Sequence, residues 1–218
     1  MFLIKISDGL LETMTLAAIE AYCLGDGRKK ADQLEAHGLI WGYVKDTEDQ
    51  KVFYLDRGSV SISAQMHNEW VKPKPEEIEL KDFIVTRWAP QLTLLGTFHT
   101  HPYADLDDVA SSKGYEFSEG DYDYMRDGGT IWERAGGSVV HLAMAMCKLK
   151  SVHSKTEGKW IRNNVWQYDV GNYRFWINAC VGYTDEDEQI LTANTRSEAV
   201  LDLGTRFYNQ SGDHIDLT

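Results

Sequence analysis

The amino-acid sequence predicts an α/β fold in which a mixed sheet is flanked by helices. Residues 7–24 place apolar side chains at helical spacing behind Ser7, a residue type that caps helices. Residues 38–44 and 52–55 are short apolar runs on either side of the polar segment KDTEDQ, a pattern typical of a β-hairpin. Residues 92–99 add an apolar strand, so helical and extended segments are mixed along the chain.

The other segments extend this prediction to the rest of the chain. We expect a third strand at residues 60–64 and a second helix at residues 76–89. The later elements are a polar loop at 103–117, a helix that begins after Ser118, strands at 138–148, 159–168 and 172–183, and a closing helix at 197–207. Pro102 has no N–H to donate and is expected to end the strand that precedes it.

The length indicates one domain. The chain has 218 residues, a size that a single hydrophobic core supports. We predict one domain over residues 1–218, with a catalytic core at residues 7–150 and a C-terminal elaboration at residues 151–218.

Charge and cysteine content indicate the cellular location and the classes of partner that are excluded. The formal net charge is −12 at pH 7, and a field of this sign repels nucleic acid. The three cysteines, Cys23, Cys147 and Cys180, are far apart and odd in number, which indicates reduced core residues. The first residues lack a signal-peptide pattern, and no apolar run reaches the roughly 18 residues that cross a bilayer. We therefore expect a cytoplasmic protein that binds neither nucleic acid nor membrane.

The histidine pair His99 and His101 is the first indication of metal chemistry. One threonine separates the two histidines, so on an extended backbone both side chains point to the same side and can share one ion. A pair of this kind can also be a packed polar cluster. Its place after a predicted strand favours a site, because open α/β sheets bind ligands at strand ends.

Two further pieces accompany the histidines. Asp121 follows Ser118 by three residues at a predicted helix start, where its carboxylate can supply an oxygen ligand. Glu35 begins the run EAHGLIWGY at the edge of a predicted strand. Taken singly, the first pair can be an ordinary capped helix, and Glu35 can be a solvated carboxylate.

Together these pieces resemble the signature of the JAMM (MPN-plus) zinc metallopeptidases, which include bacterial JAB-type deconjugases. The resemblance rests on EAHGLIWG, GTFHTHP and SEGD and covers residues 7–147. It implies a sheet like that of the JAMM and cytidine deaminase-like domains, with Zn²⁺ held by His99, His101 and Asp121. It also implies that Glu35 is the general base for an attacking water and that the Ser118 hydroxyl donates to the oxyanion. The capping role of Ser118 competes with this last assignment.

The chain departs from the family pattern between the histidine pair and Ser118. The segment 102–117 is longer than the family pattern has it, and it could either face the substrate or cover the site. Asp105, Asp107 and Asp108 lie in this segment and are rival metal ligands. The H-E-x-x-H and P-C-x-x-C frameworks of other zinc enzymes are absent.

The remaining histidines are expected to be structural or exposed. His37 follows Glu35 by two residues and would face the same side, so it is a candidate to support the metal ligands from behind. Its neighbours in the sequence give no further indication of its role.

The resemblance implies a zinc-dependent isopeptidase or peptidase. Similar proteins cleave after the C-terminus of ubiquitin or a ubiquitin-like modifier, by deconjugation or by precursor processing. Their partners resemble E1-like activating and E2-like conjugating proteins, and some act in phage defence. Two alternatives stay open: a non-catalytic MPN-type scaffold, and a metallopeptidase that acts on small cysteine or sulfur-carrier conjugates.

Overall fold

The computed structural model describes residues 1–25, 33–66, 71–127, 129–152, 158–185, 187, 189–193 and 198–203. The helices are α1 (Asp8–Cys23), α2 (Pro75–Trp88), α3 (Leu106–Ser112), α4 (Glu119–Arg126) and α5 (Gly129–Ala135). The strands are β1 (Phe2–Ile6), β2 (His37–Asp46), β3 (Lys51–Val60), β4 (Gln65–Met66), β5 (Val71–Lys72), β6 (Thr93–Tyr103), β7 (Ser138–Lys148), β8 (Lys159–Arg162), β9 (Val165–Val170), β10 (Tyr173–Thr184), β11 (Ile190–Ala193) and β12 (Ala199–Asp202).

A mixed sheet of ten strands dominates the described part of the chain. Its order is β12-β1-β3-β2-β6-β7-β10-β9-β8, and β11 pairs with β10. The strand β1 runs parallel to β3 and β12, and β6 runs parallel to β7, while the other pairs in this sheet are antiparallel. The predicted α/β class with a mixed sheet and flanking helices is confirmed. Its closer likeness to the JAMM sheet stays a prediction.

Helix α1 covers one face of this sheet and confirms the first predicted helix. The Ser7 hydroxyl accepts from the backbone N–H of Leu10 at 3.2 Å and donates to the Asp56 carbonyl at 2.7 Å, so the cap also fixes the helix to β3. Leu10, Leu11 and Met14 are fully buried in a large apolar cluster. The central strands contribute further side chains to it: Ile40, Phe98, Val140, Leu142 and Met144.

The opposite face is covered by α2, α4 and α5. Trp41, Ile78 and Ile131 belong to one apolar cluster there, and Met125 packs with Ala143 in another. The Trp41 indole donates to Asp82 Oδ1 at 3.1 Å, which fixes α2 to β2. Apolar packing on this face is therefore divided into smaller groups.

The strand β6 does not end where the sequence predicted. It continues through Pro102 to Tyr103, and Pro102 lies opposite Met146 of the parallel strand β7. The Thr100 N–H donates to the Ala36 carbonyl at 2.9 Å, so the nitrogen of Pro102, two residues on, faces the same side. The strand β2 begins at His37, and its pairing with β6 ends at His99. The missing N–H of Pro102 therefore interrupts no ladder.

Four other predictions of secondary structure are wrong. The predicted strand at 159–168 is divided into β8 and β9 by a turn at residues 163–164. Residues 61–64 form a turn after β3 instead of a strand. The predicted polar loop contains α3, which Asp105 caps by accepting from two backbone N–H groups. The predicted closing helix contains the strand β12, and its residues 197 and 204–207 lie outside the described residues. The sequence patterns also gave no indication of β1, β11 and α5.

The described residues also test two predictions about the chain as a whole. Cys23, Cys147 and Cys180 are unpaired, and the last two are buried, as the sequence indicated. None of the helices in the described ranges combines the length and apolar character that crossing a bilayer requires.

Candidate metal centre

His99 and His101 lie on one face of β6, near its carboxyl end. Their Nε2 atoms are 3.0 Å apart, and the ring centroids are 4.7 Å apart. Both side chains are mostly buried, with 12% and 11% of their surface exposed. The single threonine between them therefore has the predicted effect, because an extended backbone directs both imidazoles to one point.

The helix α4 brings Asp121 to the same point. Asp121 Oδ1 is 3.0 Å from His99 Nε2, and Oδ2 is 3.4 Å from His101 Nε2. One potential ligand atom from each of the three residues lies within 4.8 Å of the others. These residues form a possible metal-binding group, the one that the sequence indicated.

Ser118 holds Asp121 in place through a capping box. Its hydroxyl accepts from the Asp121 N–H at 3.2 Å and donates to Asp121 Oδ2 at 2.8 Å. The Ser118 N–H donates to the same carboxylate oxygen at 2.7 Å. The predicted helix start at Ser118 is confirmed, and its hydroxyl is engaged with Asp121. A role for this hydroxyl at an oxyanion stays a prediction.

Glu35 lies immediately before β2, and its side chain is buried. The next residue, Ala36, pairs with Thr100 in both directions: the Ala36 N–H donates to Thr100 Oγ1 at 2.7 Å, and the Thr100 N–H donates to the Ala36 carbonyl. Two residues after Glu35, His37 lies opposite His99, where the pairing of β2 with β6 ends. The alternative of a solvated carboxylate is wrong, because Glu35 is only 7% exposed.

Electrostatic interactions connect these groups. Burial lowers the pKa of His101, but its hydrogen bond to Asp121 and the charges of Asp121 and Glu35 raise that pKa by more. Burial raises the pKa of Asp121, and His99 and His101 lower it to far below the ordinary value. Asp121 is therefore a carboxylate, and the charge of Glu35 acts directly on the imidazole of His101.

Two more histidines lie beside the pair on neighbouring strands. His37 Nδ1 is 2.9 Å from Ser61 Oγ, and His141 Nδ1 is 3.1 Å from Thr97 Oγ1. Burial and the charge of His99 lower both pKa values to about 3, so both rings are neutral at pH 7. His37 lies opposite His99 in the pairing of β2 with β6. His141 was missed, although its position in the apolar run of β7 gives it the same face as Ala143.

The rival ligands in the segment 103–117 do not join the group. Asp105 Oδ1 accepts from the N–H groups of Asp107 and Asp108 at 3.0 Å each, and Asp108 Oδ2 accepts from the Ala104 N–H at 3.2 Å. These local bonds hold Asp105 and Asp108 at the start of α3. The metal-binding group found among the described residues contains none of the three acids.

Comparison with known proteins leaves the family of this chain open. No family model matches the chain, and no curated protein matches it. The structure is similar to the Trichoplax adhaerens STIL N-terminal domain, with a TM-score of 0.40 and 8% sequence identity over 83% of this chain. The chain covers 42% of that protein, less than half of its length. The protein is thus defined as an α/β protein with a possible metal-binding group of two histidines and one aspartate.

Proposed function

We propose that this protein is a zinc-dependent isopeptidase or peptidase that cleaves after the C-terminus of ubiquitin or a ubiquitin-like modifier. The observation that supports the proposal is the convergence of His99, His101 and Asp121, with Glu35 buried just before the adjoining strand β2. Two imidazole nitrogens and one carboxylate oxygen are a donor set that suits Zn²⁺. Catalytic zinc sites have three protein ligands and one open position, and the set fits that number.

The chemistry of each residue follows from its surroundings. Bound zinc would polarise the scissile carbonyl and lower the pKa of water at the site. Glu35 would take the proton from the attacking water and return it to the leaving amine, because it is buried and its charge acts on His101. Ser118 would orient Asp121 through the two hydrogen bonds that it donates to Oδ2.

Neutral histidines on the two strands that flank β6 are compatible with a bound dication. His37 and His141 are buried without charge, so neither adds a positive charge that would repel a dication. Both are anchored through Nδ1 to hydroxyl groups of neighbouring segments.

The modifier and its partners follow from the resemblance of the three motifs to the JAMM family. The substrate would be a ubiquitin-like protein joined through its C-terminus, and E1-like and E2-like proteins would be partners in a cytoplasmic conjugation system, such as one for antiviral defence. Whether the enzyme removes a modifier from a target or trims a precursor depends on the group that follows the scissile bond.

The test combines metal analysis with cleavage. The purified full chain is expected to hold about one zinc per chain and to cleave at least one member of a panel of ubiquitin-like fusions. Chelation is expected to abolish cleavage, and added zinc is expected to restore it. Cleavage of small cysteine or sulfur-carrier conjugates in place of the fusions would favour the alternative of a metallopeptidase that acts on such conjugates.

One observation favours the scaffold as a second candidate. The three side chains contact one another at 3.0 to 3.4 Å, so Asp121 and a protonated histidine can also form a purely structural ion pair. A scaffold would purify with little zinc, and chelation would leave its stability and partner binding unchanged.

A further inference from the structure

A cavity of about 170 Å³ lies beside the metal centre, between α2, α4, α5 and β7. Its walls are mainly apolar and include Ile78, Tyr124, Ile131 and Trp132. An engineered protein cavity of about 150 Å³ with apolar walls binds benzene. The cavity near the metal centre therefore has room for one six-membered ring.

One buried polar group belongs to this cavity. His141 lines it and is 3% exposed. Its Nδ1 is engaged with Thr97 on β6, whereas its Nε2 is buried and has no hydrogen-bond partner among the described residues. A buried imidazole nitrogen in this state is expected to bind a polar group of a ligand or a water molecule.

The chemistry of His141 restricts the polar group that fits. A neutral imidazole has one donor and one acceptor nitrogen, and the contact between Nδ1 and the Thr97 hydroxyl is compatible with either tautomer. A phenol hydroxyl both donates and accepts, so it can pair with Nε2 in either case. A phenylalanine ring would fill the cavity but would leave Nε2 without a partner.

The cavity is close enough to the metal centre to take part of the same substrate. Thr97 lies two residues before His99 on β6, and Tyr124 lies three residues after Asp121 on α4. Tyr124 meets the imidazole of His141 edge to face, with ring centroids 6.4 Å apart, and its side chain is partly exposed. Rotation of this exposed ring would give a ligand access to His141.

We propose that this cavity binds the side chain of a tyrosine of the peptide substrate, with its hydroxyl paired to His141 Nε2. The identity of the substrate as a peptide rests on the function proposed above, but binding of the ring does not. Asp127 also lines the cavity, so a lysine side chain is the main competing ligand.

The test uses small probes and the chelator-treated full chain. Binding of p-cresol, toluene and butylammonium is followed by nuclear magnetic resonance at the indole N–H of Trp132, which donates to the Met125 carbonyl at 2.9 Å. The indole of Trp88, exposed on α2, is the control in the same spectrum. We expect p-cresol to shift Trp132 and leave Trp88 unchanged, and to bind up to about tenfold more tightly than toluene, as one net hydrogen bond allows.

Two variants identify the groups responsible. His141→Phe removes Nε2 and is expected to remove the preference for p-cresol over toluene. Ile131→Phe places a larger side chain in the cavity and is expected to prevent binding of both rings, which keeps the test decisive if His141→Phe does not fold. Equal binding of p-cresol and toluene to the unmodified protein, tighter binding of butylammonium, or no shift of Trp132 would overturn the proposal.

Failure of this proposal can be told apart from failure of the proposed function. If ubiquitin-like fusions are cleaved but p-cresol does not bind, the assignment of the cavity is wrong and the peptidase assignment stands. If p-cresol binds and no fusion is cleaved, the cavity assignment stands and the peptidase assignment is wrong.

Discussion

The two faces of the main sheet are built differently from the same strands. Under α1, one apolar cluster extends from Leu11 through Ile40 and Phe98. On the opposite face the apolar side chains form smaller clusters, and His99 and His141 lie among them. Because side chains alternate along a strand, Phe98 packs under α1 on one face, while its neighbour His99 lies in the possible metal-binding group on the other. A strand can thus carry a polar site without interrupting the core behind it.

Replacement of a ligand on the polar face should give the largest effect. His99→Ala is expected to abolish both zinc binding and peptide cleavage, because two ligands do not hold the ion in a catalytic geometry. Zinc content by mass spectrometry and fusion cleavage are the measurements. The control is Asp123→Asn, which changes an exposed carboxylate of α4. Retention of stoichiometric zinc by His99→Ala would contradict the ligand assignment.

Loss of the base should separate metal binding from turnover. Glu35→Gln is expected to keep zinc and to slow cleavage by roughly 10²- to 10⁴-fold, the usual effect of a general base. Steady-state kinetics with matched zinc content measures this effect. Glu12→Gln, at an exposed position of α1, should cleave at the normal rate. Normal turnover by Glu35→Gln would show that another group accepts the proton.

A core substitution under α1 should affect stability alone. Leu11→Ala removes a fully buried side chain and is expected to lower the free energy of unfolding by about 2–5 kcal/mol. Urea unfolding measures the loss, and Leu16→Ala is the control because Leu16 is exposed on the same helix. Under native conditions the zinc content should not change. A parallel loss of zinc would show that the two faces are coupled.

Low pH should reduce the free energy of unfolding through the buried histidines of the polar face. The pKa of His141 is about 3 in the folded chain, below the ordinary value of 6.5, so the unfolded chain binds more protons between these values. The contribution of His141 to stability is therefore complete above the unfolded pKa and decreases as the pH falls. His141→Phe should reduce the slope of unfolding free energy against pH by up to about 1.4 kcal/mol per pH unit.

This slope is measured by urea unfolding of chelator-treated protein at several pH values between the two pKa values. The matched control is Glu12→Gln, which changes an exposed residue of α1 and leaves the buried histidines as they are. An identical slope for His141→Phe and the unmodified chain would show that His141 is not held neutral.

The smallest effect is expected at the cap of α4. Ser118→Ala removes the hydroxyl that both caps the helix and donates to Asp121, and it should lower stability by about 1 kcal/mol. Zinc affinity should fall by roughly 10- to 100-fold, because Ser118 orients a ligand. Calorimetric zinc titration and urea unfolding measure the two effects. Unchanged zinc affinity would restrict Ser118 to capping.

The sequence predicted that His99, His101 and Asp121 would lie together better than it predicted the borders of the fold. Spacing decides where these side chains meet: His99 and His101 share a face because they are two residues apart, and Asp121 lies one turn inside a helix that Ser118 begins. Both relations are local. The effect of the Glu35 charge on His101 connects segments far apart in the sequence, and only the resemblance to a known motif suggested that they share a site.

The errors arise where distant pairing overrides local preference. Residues 199–202 fit a helical pattern, but they pair in parallel with β1 and form β12. Pro102 was expected to end its strand, yet it remains in β6 because β2 does not extend along its nitrogen side. Neither outcome can be obtained from local propensity, because each depends on which strand is adjacent.

The carboxylate of Asp121 takes part both in the cap of α4 and in the possible metal-binding group. One oxygen completes the hydrogen bonding at the start of α4, and the other lies against His99. If an ion binds here, its binding and the order of this helical turn would be thermodynamically linked, and each would change the other to the same extent. A partner protein that contacts the amino end of α4 would then change the affinity for the ion without contacting the histidines.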